Sequence, residues 1–174
     1  MPLNKLNLAD HLSDVFIETG THRGDGVCRA LEAGFETVYS CESDATMLHR
    51  ISQAIWDDKR VYIGYGDSTK WLDTFLFLAK YQSVTFWLDA HPNSELSLID
   101  GFDGRNKAPL LDELLIIARD MHLLCKVTIL VDDMRLYSAD DQERIEAIIS
   151  DMCPEVTISR AHGHCADDIL VGVM

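Results

Sequence analysis

Short apolar runs alternate with amphipathic segments along most of the chain. Each of the first five runs is rich in β-branched or aromatic residues, and each is followed by a segment in which apolar residues recur at helical spacing. The pattern therefore predicts five strand–helix units. The predicted strands cover residues 14–19, 37–42, 60–67, 83–89 and 126–133, and the longer predicted helices cover 68–81, 108–121 and 139–152.

Two shorter helices are predicted near the start of the chain. One follows the first strand, and Gly34 is placed to end it. The other follows the second strand, where Leu48, Ile51 and Ile55 recur at helical spacing. We predict that these three apolar residues lie on a single helix.

The end of the chain has a different pattern. Two strand-like runs, 155–161 and 167–174, are separated by only five residues. A connection between parallel strands needs a dozen or more residues, so we predict an antiparallel hairpin. We interpret His162, His164 and Cys165 as its turn and not as a metal-binding cluster, because residues so close in sequence rarely complete a tetrahedral site.

These elements together predict the fold class. Five strand–helix units and a hairpin make a single α/β domain over residues 1–174, with a Rossmann-like, doubly wound, mostly parallel sheet of seven strands and a C-terminal antiparallel hairpin. In such sheets, ligands bind beyond the carboxyl ends of the strands, where the strand order reverses. The candidate functional residues are therefore those at the end of each strand.

The chain is acidic, with 15 Lys and Arg residues against 29 Asp and Glu residues and a formal charge of −14. Such a surface repels a polyphosphate backbone and no basic cluster offsets it, so we expect no nucleic-acid partner. No apolar run approaches the roughly 20 residues that span a bilayer, and the N-terminus lacks a signal-peptide core. We therefore expect a cytoplasmic protein with no membrane partner.

An acidic residue and spaced glycines lie at the end of the first strand. The stretch ETGTHRG contains Glu18, Gly20, Thr21 and Gly24. A glycine after a strand lets the backbone turn tightly and lets a ligand approach it, and a glycine at a helix start allows close packing of helix and strand. These residues are candidates for cofactor binding. The alternative is that the glycines only form the turn.

Polar side chains also end the second and third strands. Glu42 lies 22 residues beyond Gly20, where a carboxylate can accept hydrogen bonds from both hydroxyl groups of a ribose. Asp67 and Ser68 follow the third strand and suit the amino-bearing edge of an adenine. Each of these residues could instead cap the helix that follows. If they converge on one crevice, they form a nucleoside site.

Carboxylates end the fourth and fifth strands. Asp89 ends the fourth strand, and Asp132 and Asp133 end the fifth, so we expect them to lie close together. Three carboxylates raise one another's pKa unless a cation neutralises them, and Mg²⁺ prefers oxygen ligands. The alternatives are that one of the pair caps a helix or pairs with Arg135, and that Asp89 is only a polar strand terminus.

His91 lies two residues beyond Asp89. A histidine has a reference pKa of about 6.5, which suits a general base near neutral pH. His91 could equally be a fourth metal ligand or a solvent-facing loop residue, and these three interpretations stay open. The loop that begins there, residues 91–107, is longer than a compact domain needs and suggests a lid.

These strand ends resemble those of the class I S-adenosylmethionine-dependent methyltransferases. In that family an acidic residue and spaced glycines form the first loop, acidic residues end strands two and three, and an antiparallel hairpin closes the sheet. The first loop here is looser than a strict glycine triplet and is similar to that of small-molecule O-methyltransferases. The resemblance covers nearly the whole chain and implies that S-adenosylmethionine is bound by Glu18, Gly20, Thr21, Gly24, Glu42, Asp67, Ser68 and Asp89.

The aspartates resemble the metal site of the divalent-metal-dependent O-methyltransferases, which include catechol-type and macrocin-type enzymes. The resemblance implies that Asp89, Asp132 and Asp133 bind Mg²⁺. It also implies catalytic roles for His91 and Asp89. In the macrocin-type branch a carboxylate stands at the position of His91 and acts as the base.

Our leading hypothesis is therefore Mg²⁺-assisted O-methylation of a small molecule by S-adenosylmethionine, with a sugar-containing acceptor as one option. The alternatives are a metal-independent or non-catalytic S-adenosylmethionine-binding protein of the same fold and, in another class, an NAD-dependent oxidoreductase. The predicted terminal hairpin counts against the oxidoreductase. The expected partners are a small-molecule acceptor and, as one option, a second copy of the chain.

Overall fold

The computed structural model describes residues 6–90 and 108–174. His91 and the predicted lid at 91–107 lie outside these residues. The described residues contain seven strands. They are β1 (Val15–Thr19), β2 (Thr37–Glu42), β3 (Val61–Tyr65), β4 (Ser83–Leu88), β5 (Lys126–Val131), β6 (Thr157–Ala161) and β7 (Ile169–Val173).

Helices connect most of these strands. The α-helices of the described residues are α1 (Asp25–Ala33), α2 (Ala45–Leu48), α3 (Gln53–Asp57), α4 (Ser68–Leu78), α5 (Leu110–Asp120) and α6 (Ala139–Met152). Short 3₁₀ helices cover Leu8–His11, Met121–Leu123 and Met134–Leu136. None of the helices in the described ranges is long and apolar enough to cross a membrane.

The strands form one sheet in the order β3-β2-β1-β4-β5-β7-β6. The first five strands of the chain are parallel, while β7 is antiparallel to both β5 and β6. The strand order reverses between β1 and β4. The predicted fold class is therefore confirmed, including the antiparallel hairpin at the C-terminus.

Apolar side chains cover both faces of the sheet. On one face, Val15 and Ile17 of β1 belong to a cluster with buried residues of α4, α5 and α6. On the other face, Phe16 packs with residues of α1 and α3. Successive side chains of a strand point to opposite faces, so a strand covered on both sides is expected to be apolar throughout. Glu18 is the charged residue in this buried strand, and its position therefore needs a specific cause.

The prediction of a single helix after β2 is wrong. The chain forms two short helices there, because Ser52 has an extended conformation (ψ 146°) and begins α3 as its N-cap. Ile51 and Ile55 nevertheless lie buried in the same apolar cluster, and Leu48 packs against it. The helical spacing thus identified the buried side chains correctly, but it did not reveal the break between them.

Other boundaries differ by a few residues from the predictions. The helix predicted over 68–81 ends at Leu78. Tyr81 has a φ of 66°, a left-handed conformation that an α-helix does not contain. The helix predicted over 139–152 has the same bounds in the structure.

Candidate active site

A cavity opens at the carboxyl ends of β1, β4 and β5. It lies where the strand order reverses, which is the place that this fold predicts for a ligand. Its volume of about 120 Å³ is below the roughly 300–1,000 Å³ of small-molecule sites, so the enclosed space fits part of a nucleoside-sized ligand. The lining includes Glu18, Gly20, Thr21, Asp89, Asp132 and Asp133.

Gly20 begins the loop between β1 and α1 and has a φ of 87°. Its amide and that of Thr21 both donate to the carbonyl oxygen of Cys41, at 2.9 and 3.0 Å. An added Cβ at Gly20 would lie 2.7 Å from the backbone oxygen of Asp89. Both the backbone conformation and this close approach between β1 and β4 therefore require glycine.

Gly24 begins α1 as its N-cap, with a φ of 84° and no side-chain capping bond. An added Cβ would lie 2.6 Å from Cδ1 of Ile55, so the start of α1 packs closely on α3. The first residues of α1, Asp25 and Gly26, line the cavity. Gly24 thus places the positive end of the α1 dipole at the cavity.

Glu18 lines the cavity although its side chain is almost fully buried. The hydroxyl group of Ser40 donates to its Oε2 at 2.6 Å. An added Cβ at Gly26 would lie 1.8 Å from Oε1, so the absence of a side chain there makes room for the carboxyl group. Burial raises the pKa of Glu18 to about 8, because the charged form loses its hydration. Most Glu18 carboxyl groups therefore hold a proton at neutral pH.

Glu42 fixes the first loop to the end of β2. Its Oε2 accepts from the amide of His22 and its Oε1 from the amide of Asp44, both at 2.8 Å. The residue is 8% exposed and is not part of the cavity lining. It thus stands at the predicted edge of the sheet, and its contact with a ribose stays a prediction.

Asp67 and Ser68 lie at the start of α4, apart from the cavity lining. Asp67 is exposed, and its Oδ1 accepts from the amide and the hydroxyl group of Thr69 at 2.9 and 2.6 Å. These bonds to Thr69 lower the pKa of Asp67. The helix-capping role that was left open from the sequence is present, and contact with an adenine stays a prediction.

The acidic group at the end of β5 differs in one member from the predicted one. Asp132, Asp133 and Asp168 each offer an oxygen atom within 4.8 Å of the others. Asp89 lines the same cavity but does not belong to this group. Asp168 was missed because it precedes β7, which runs antiparallel to β5 and therefore begins where β5 ends. The start of an antiparallel strand lies beside the end of its neighbour, so the predicted hairpin could have indicated Asp168.

Arg135 pairs with two of these three carboxylates. Its Nη1 contacts both Asp133 and Asp168, so the pairing with Arg135 left open from the sequence is present. The Asp168 side chain is fully buried and also accepts from the amides of Arg135 and His164 at 3.1 and 3.0 Å. Asp168 therefore joins the turn after β5 to the hairpin turn, in which His164 lies as predicted.

A second buried acid lies on the opposite face of the sheet from Glu18. Glu113 of α5 accepts from the hydroxyl group of Thr19 at 3.4 Å through Oε2. Its Oε1 has no hydrogen-bond partner among the described residues. Burial raises the pKa of Glu113 to about 7. The sequence feature that marks Glu113 is a glutamate among the apolar residues of the helix predicted over 108–121.

Arg29 of α1 and Trp87 of β4 also line the cavity and were not expected from the sequence. The guanidinium carbon of Arg29 lies 5.6 Å from the centre of the Trp87 ring. Burial lowers the pKa of Arg29, and the charge of Asp132 opposes that shift. The cavity thus contains cationic groups as well as carboxylates.

No protein-family model matches the chain, and no curated protein matches it in sequence. Its fold, however, matches solved structures. An O-methyltransferase from Bacillus cereus in complex with SAH superposes with a TM-score of 0.64 at 14% identity, over 96% of this chain and 76% of that one. The fold is that of class I methyltransferases.

Two further structures extend this comparison. Human methyltransferase-like protein 13 in complex with SAH has a TM-score of 0.61 at 13% identity, over 96% of this chain and 74% of that one. Fibrillarin from Aeropyrum pernix, with natively bound S-adenosyl-L-methionine, has a TM-score of 0.59 at 11% identity, over 92% of this chain and 66% of that one. At these identities the likeness establishes the methyltransferase fold, which agrees with the resemblance found in the strand ends.

Proposed function

We propose that this chain is an S-adenosylmethionine-dependent methyltransferase that acts on an oxygen atom of a small molecule. The observation that carries the proposal is the cavity at the crossover between β1 and β4, beside a loop in which Gly20 has no room for a side chain. The B. cereus O-methyltransferase and human methyltransferase-like protein 13, which share this fold, were solved with SAH. That agreement supports the same cofactor here.

The cavity suits a cofactor with a sulfonium cation. Its lining includes the carboxylates of Asp25, Asp89, Asp132 and Asp133. These groups attract a positive charge, and the start of α1 offers amide groups to an anionic end of the same ligand. Gly20 lets the ligand approach the backbone. The bound cofactor would supply the methyl group for transfer.

Asp89 is the described residue best placed to take the proton of the acceptor. It follows β4, its amide donates to the carbonyl oxygen of Thr19 at 3.2 Å, and it lines the cavity. A carboxylate there can accept the hydroxyl proton as the oxygen attacks the methyl group. His91 stays a predicted base, because it lies outside the described residues.

The described carboxylates do not fit Mg²⁺ as predicted. Mg²⁺ requires ligand oxygens about 2.0–2.1 Å from one point, so its ligands lie within roughly 4 Å of one another. Asp89 does not belong to the one group of described residues that approaches this spacing, and Arg135 already pairs with Asp133 and Asp168 in that group. The mechanism proposed here therefore has no step through a metal ion.

Charge argues against one class of acceptor. A formal charge of −14 disfavours nucleic acid, and we propose a small molecule as the acceptor, with a sugar-containing compound as one option. A cytoplasmic location and a homodimer stay predictions. A screen of hydroxyl-bearing compounds by mass spectrometry, for a gain of one methyl group, would identify the acceptor.

Calorimetric titration with S-adenosylmethionine, SAH and NAD⁺ tests the proposed cofactor. We expect the wild type to bind the first two and not NAD⁺. Gly20→Ala should weaken SAH binding by about a hundredfold, because its Cβ would contact the Asp89 backbone. Gly34→Ala is the matched control: Gly34 also has a positive φ (103°), but an added Cβ would meet nothing within 4 Å.

Three outcomes would contradict the proposal. Binding of NAD⁺ in place of SAH would favour the oxidoreductase. Equal SAH affinity in wild type and Gly20→Ala would place the cofactor elsewhere. Binding of SAH without methyl transfer to any acceptor would favour a non-catalytic binding protein.

A further inference from the structure

The acidic group at the end of β5 already contains a cation that belongs to the chain. Nη1 of Arg135 pairs with Asp133 and Asp168, two of the three carboxylates that lie within 4.8 Å of one another. We propose that this guanidinium takes the place of a divalent cation, so that the chain holds positive charge on the β5 side of the cavity without a metal ion. The consequence for methyl transfer rests on the proposed function; the statement about metal binding does not.

Asp168 is committed to contacts within the protein. Its side chain is fully buried, its Oδ1 accepts from the Arg135 amide, and its Oδ2 accepts from Arg135 Nη1 and from the amide of His164. Its backbone oxygen also accepts from the amide of Met134 at 2.9 Å. A metal ion bound at Oδ2 would displace the guanidinium and compete with the hydrogen bond from the His164 amide.

The remaining carboxylates also face cations of the chain. Asp133 pairs with Arg135, and the charge of Asp132 acts on Arg29, which lines the same cavity. A divalent ion would have to compete with Arg135 for Asp133 and Asp168. The guanidinium group is always charged, and its fork of N–H groups matches carboxylate oxygens. The same electrostatic role is thus filled by side chains.

Arg135 can act on the bound acceptor from this position. It is partly exposed, it lines the cavity, and its contacts with Asp133 and Asp168 use one of its two terminal nitrogens. Arginine has five N–H donors, so donors remain for a ligand. Positive charge in the cavity lining favours the deprotonated form of an acceptor hydroxyl group.

The direct test is titration with Mn²⁺ followed by electron paramagnetic resonance, which measures free and bound ion without catalysis. We expect the isotherms of wild type and Asp133→Asn to coincide up to about 1 mM Mn²⁺, a range that covers most oxygen-ligand sites. Surface binding to an acidic protein would appear equally in both. Wild-type binding that Asp133→Asn abolishes would overturn the proposal.

Arg135→Gln tests the replacement itself. Removing the guanidinium exposes Asp133 and Asp168 to a competing cation, so we expect Mn²⁺ affinity to rise by about tenfold or more and to fall again in Arg135→Gln/Asp133→Asn. Arg144→Gln, an exposed substitution on α6, should show no gain. An Arg135→Gln variant that folds by circular dichroism but gains no affinity would overturn the proposal. If Arg135→Gln does not fold, the Mn²⁺ isotherms of wild type and Asp133→Asn test the proposal.

Calorimetry separates this proposal from the proposed function. SAH binding by wild type that is unchanged by EDTA and by Mg²⁺ supports both. SAH binding that Mg²⁺ strengthens would overturn the internal-cation proposal and leave the methyltransferase proposal standing. If wild type binds no SAH and has no Mn²⁺ site that depends on Asp133, the methyltransferase proposal is overturned and the internal-cation proposal stands.

Discussion

The two sides of the cavity hold their polar groups by different means. At the ends of β1 and β2, backbone groups fix the geometry: Glu42 accepts from two amides, and Gly20 and Gly26 leave no room for a side chain. At the end of β5, charged side chains fix it, because Arg135 joins Asp133 to Asp168. The first side should therefore be sensitive to the size of a residue, and the second to its charge.

Gly26→Ala should have the largest effect on the β1 side. Alanine is favoured over glycine in a helix by about 1 kcal/mol, so a loss of stability cannot come from helix propensity. The new Cβ would lie 1.8 Å from Oε1 of Glu18, which must move. We expect a loss of about 3 kcal/mol and at least a tenfold weaker affinity for SAH. Chemical denaturation and calorimetry measure the two effects.

A double variant provides the control. Gly26→Ala/Glu18→Ala removes the carboxyl group that the new Cβ would meet. In the Glu18→Ala background, Gly26→Ala should therefore cost much less stability than it does in wild type. If Gly26→Ala has the same cost with and without Glu18, the close approach of these residues is not the cause. The loss of stability in Gly26→Ala would then have another cause than contact with the Glu18 carboxyl group.

Asp168→Asn tests the charge sensitivity of the β5 side. The Asp168 side chain is fully buried and that of Asp133 is 15% exposed. Removing the buried charge leaves Arg135 without its better shielded partner, and we expect a loss of about 3 kcal/mol. Asp133→Asn removes the more exposed partner of the same guanidinium and should cost about 1 kcal/mol or less. Equal costs in urea denaturation would contradict this.

Glu113→Gln should change how stability depends on pH. Glu113 has a raised pKa of about 7, so the folded protein keeps a proton that the unfolded chain releases near pH 4.5. Stability therefore falls as the pH rises from about 4.5 to 7, and the loss is complete above 7. Glutamine does not titrate. Relative to wild type, the variant should gain about 3 kcal/mol between pH 4.5 and pH 8.

Thermal unfolding of both proteins across this pH range measures the difference. Glu143→Gln, which removes an exposed carboxylate from α6, is the control for the loss of one negative charge at the protein surface. A Glu113→Gln variant that follows the wild-type curve would show that Glu113 is ionised normally in the folded protein. The pKa of Glu18 is raised to about 8, so its ionisation would extend the loss of stability with rising pH up to about pH 8.

The same comparison explains what the sequence predicted. Strand ends follow from local patterns, so the fold and the positions of Gly20, Glu42 and Asp89 could be predicted. The pairing of Arg135 with Asp168 joins residues 33 positions apart and depends on the register of β7 against β5. The apolar pattern does not determine that register. The acidic group at the end of β5 therefore includes Asp168, which was not predicted.

Glu42→Gln should have the smallest effect, and it tests why the β2 end is fixed. Each carboxylate oxygen accepts one amide, so glutamine keeps the bond from His22 and loses the one from Asp44. Asp44 is exposed, and its amide can turn to water, so we expect a cost of about 1 kcal/mol and little change in SAH affinity. Glu42→Ala loses both bonds, releases the first loop and should weaken SAH binding more. If glutamine weakens SAH binding as much as alanine does, the negative charge of Glu42 acts on the cofactor directly, and the ribose contact predicted from the sequence gains support over a role in holding the loop.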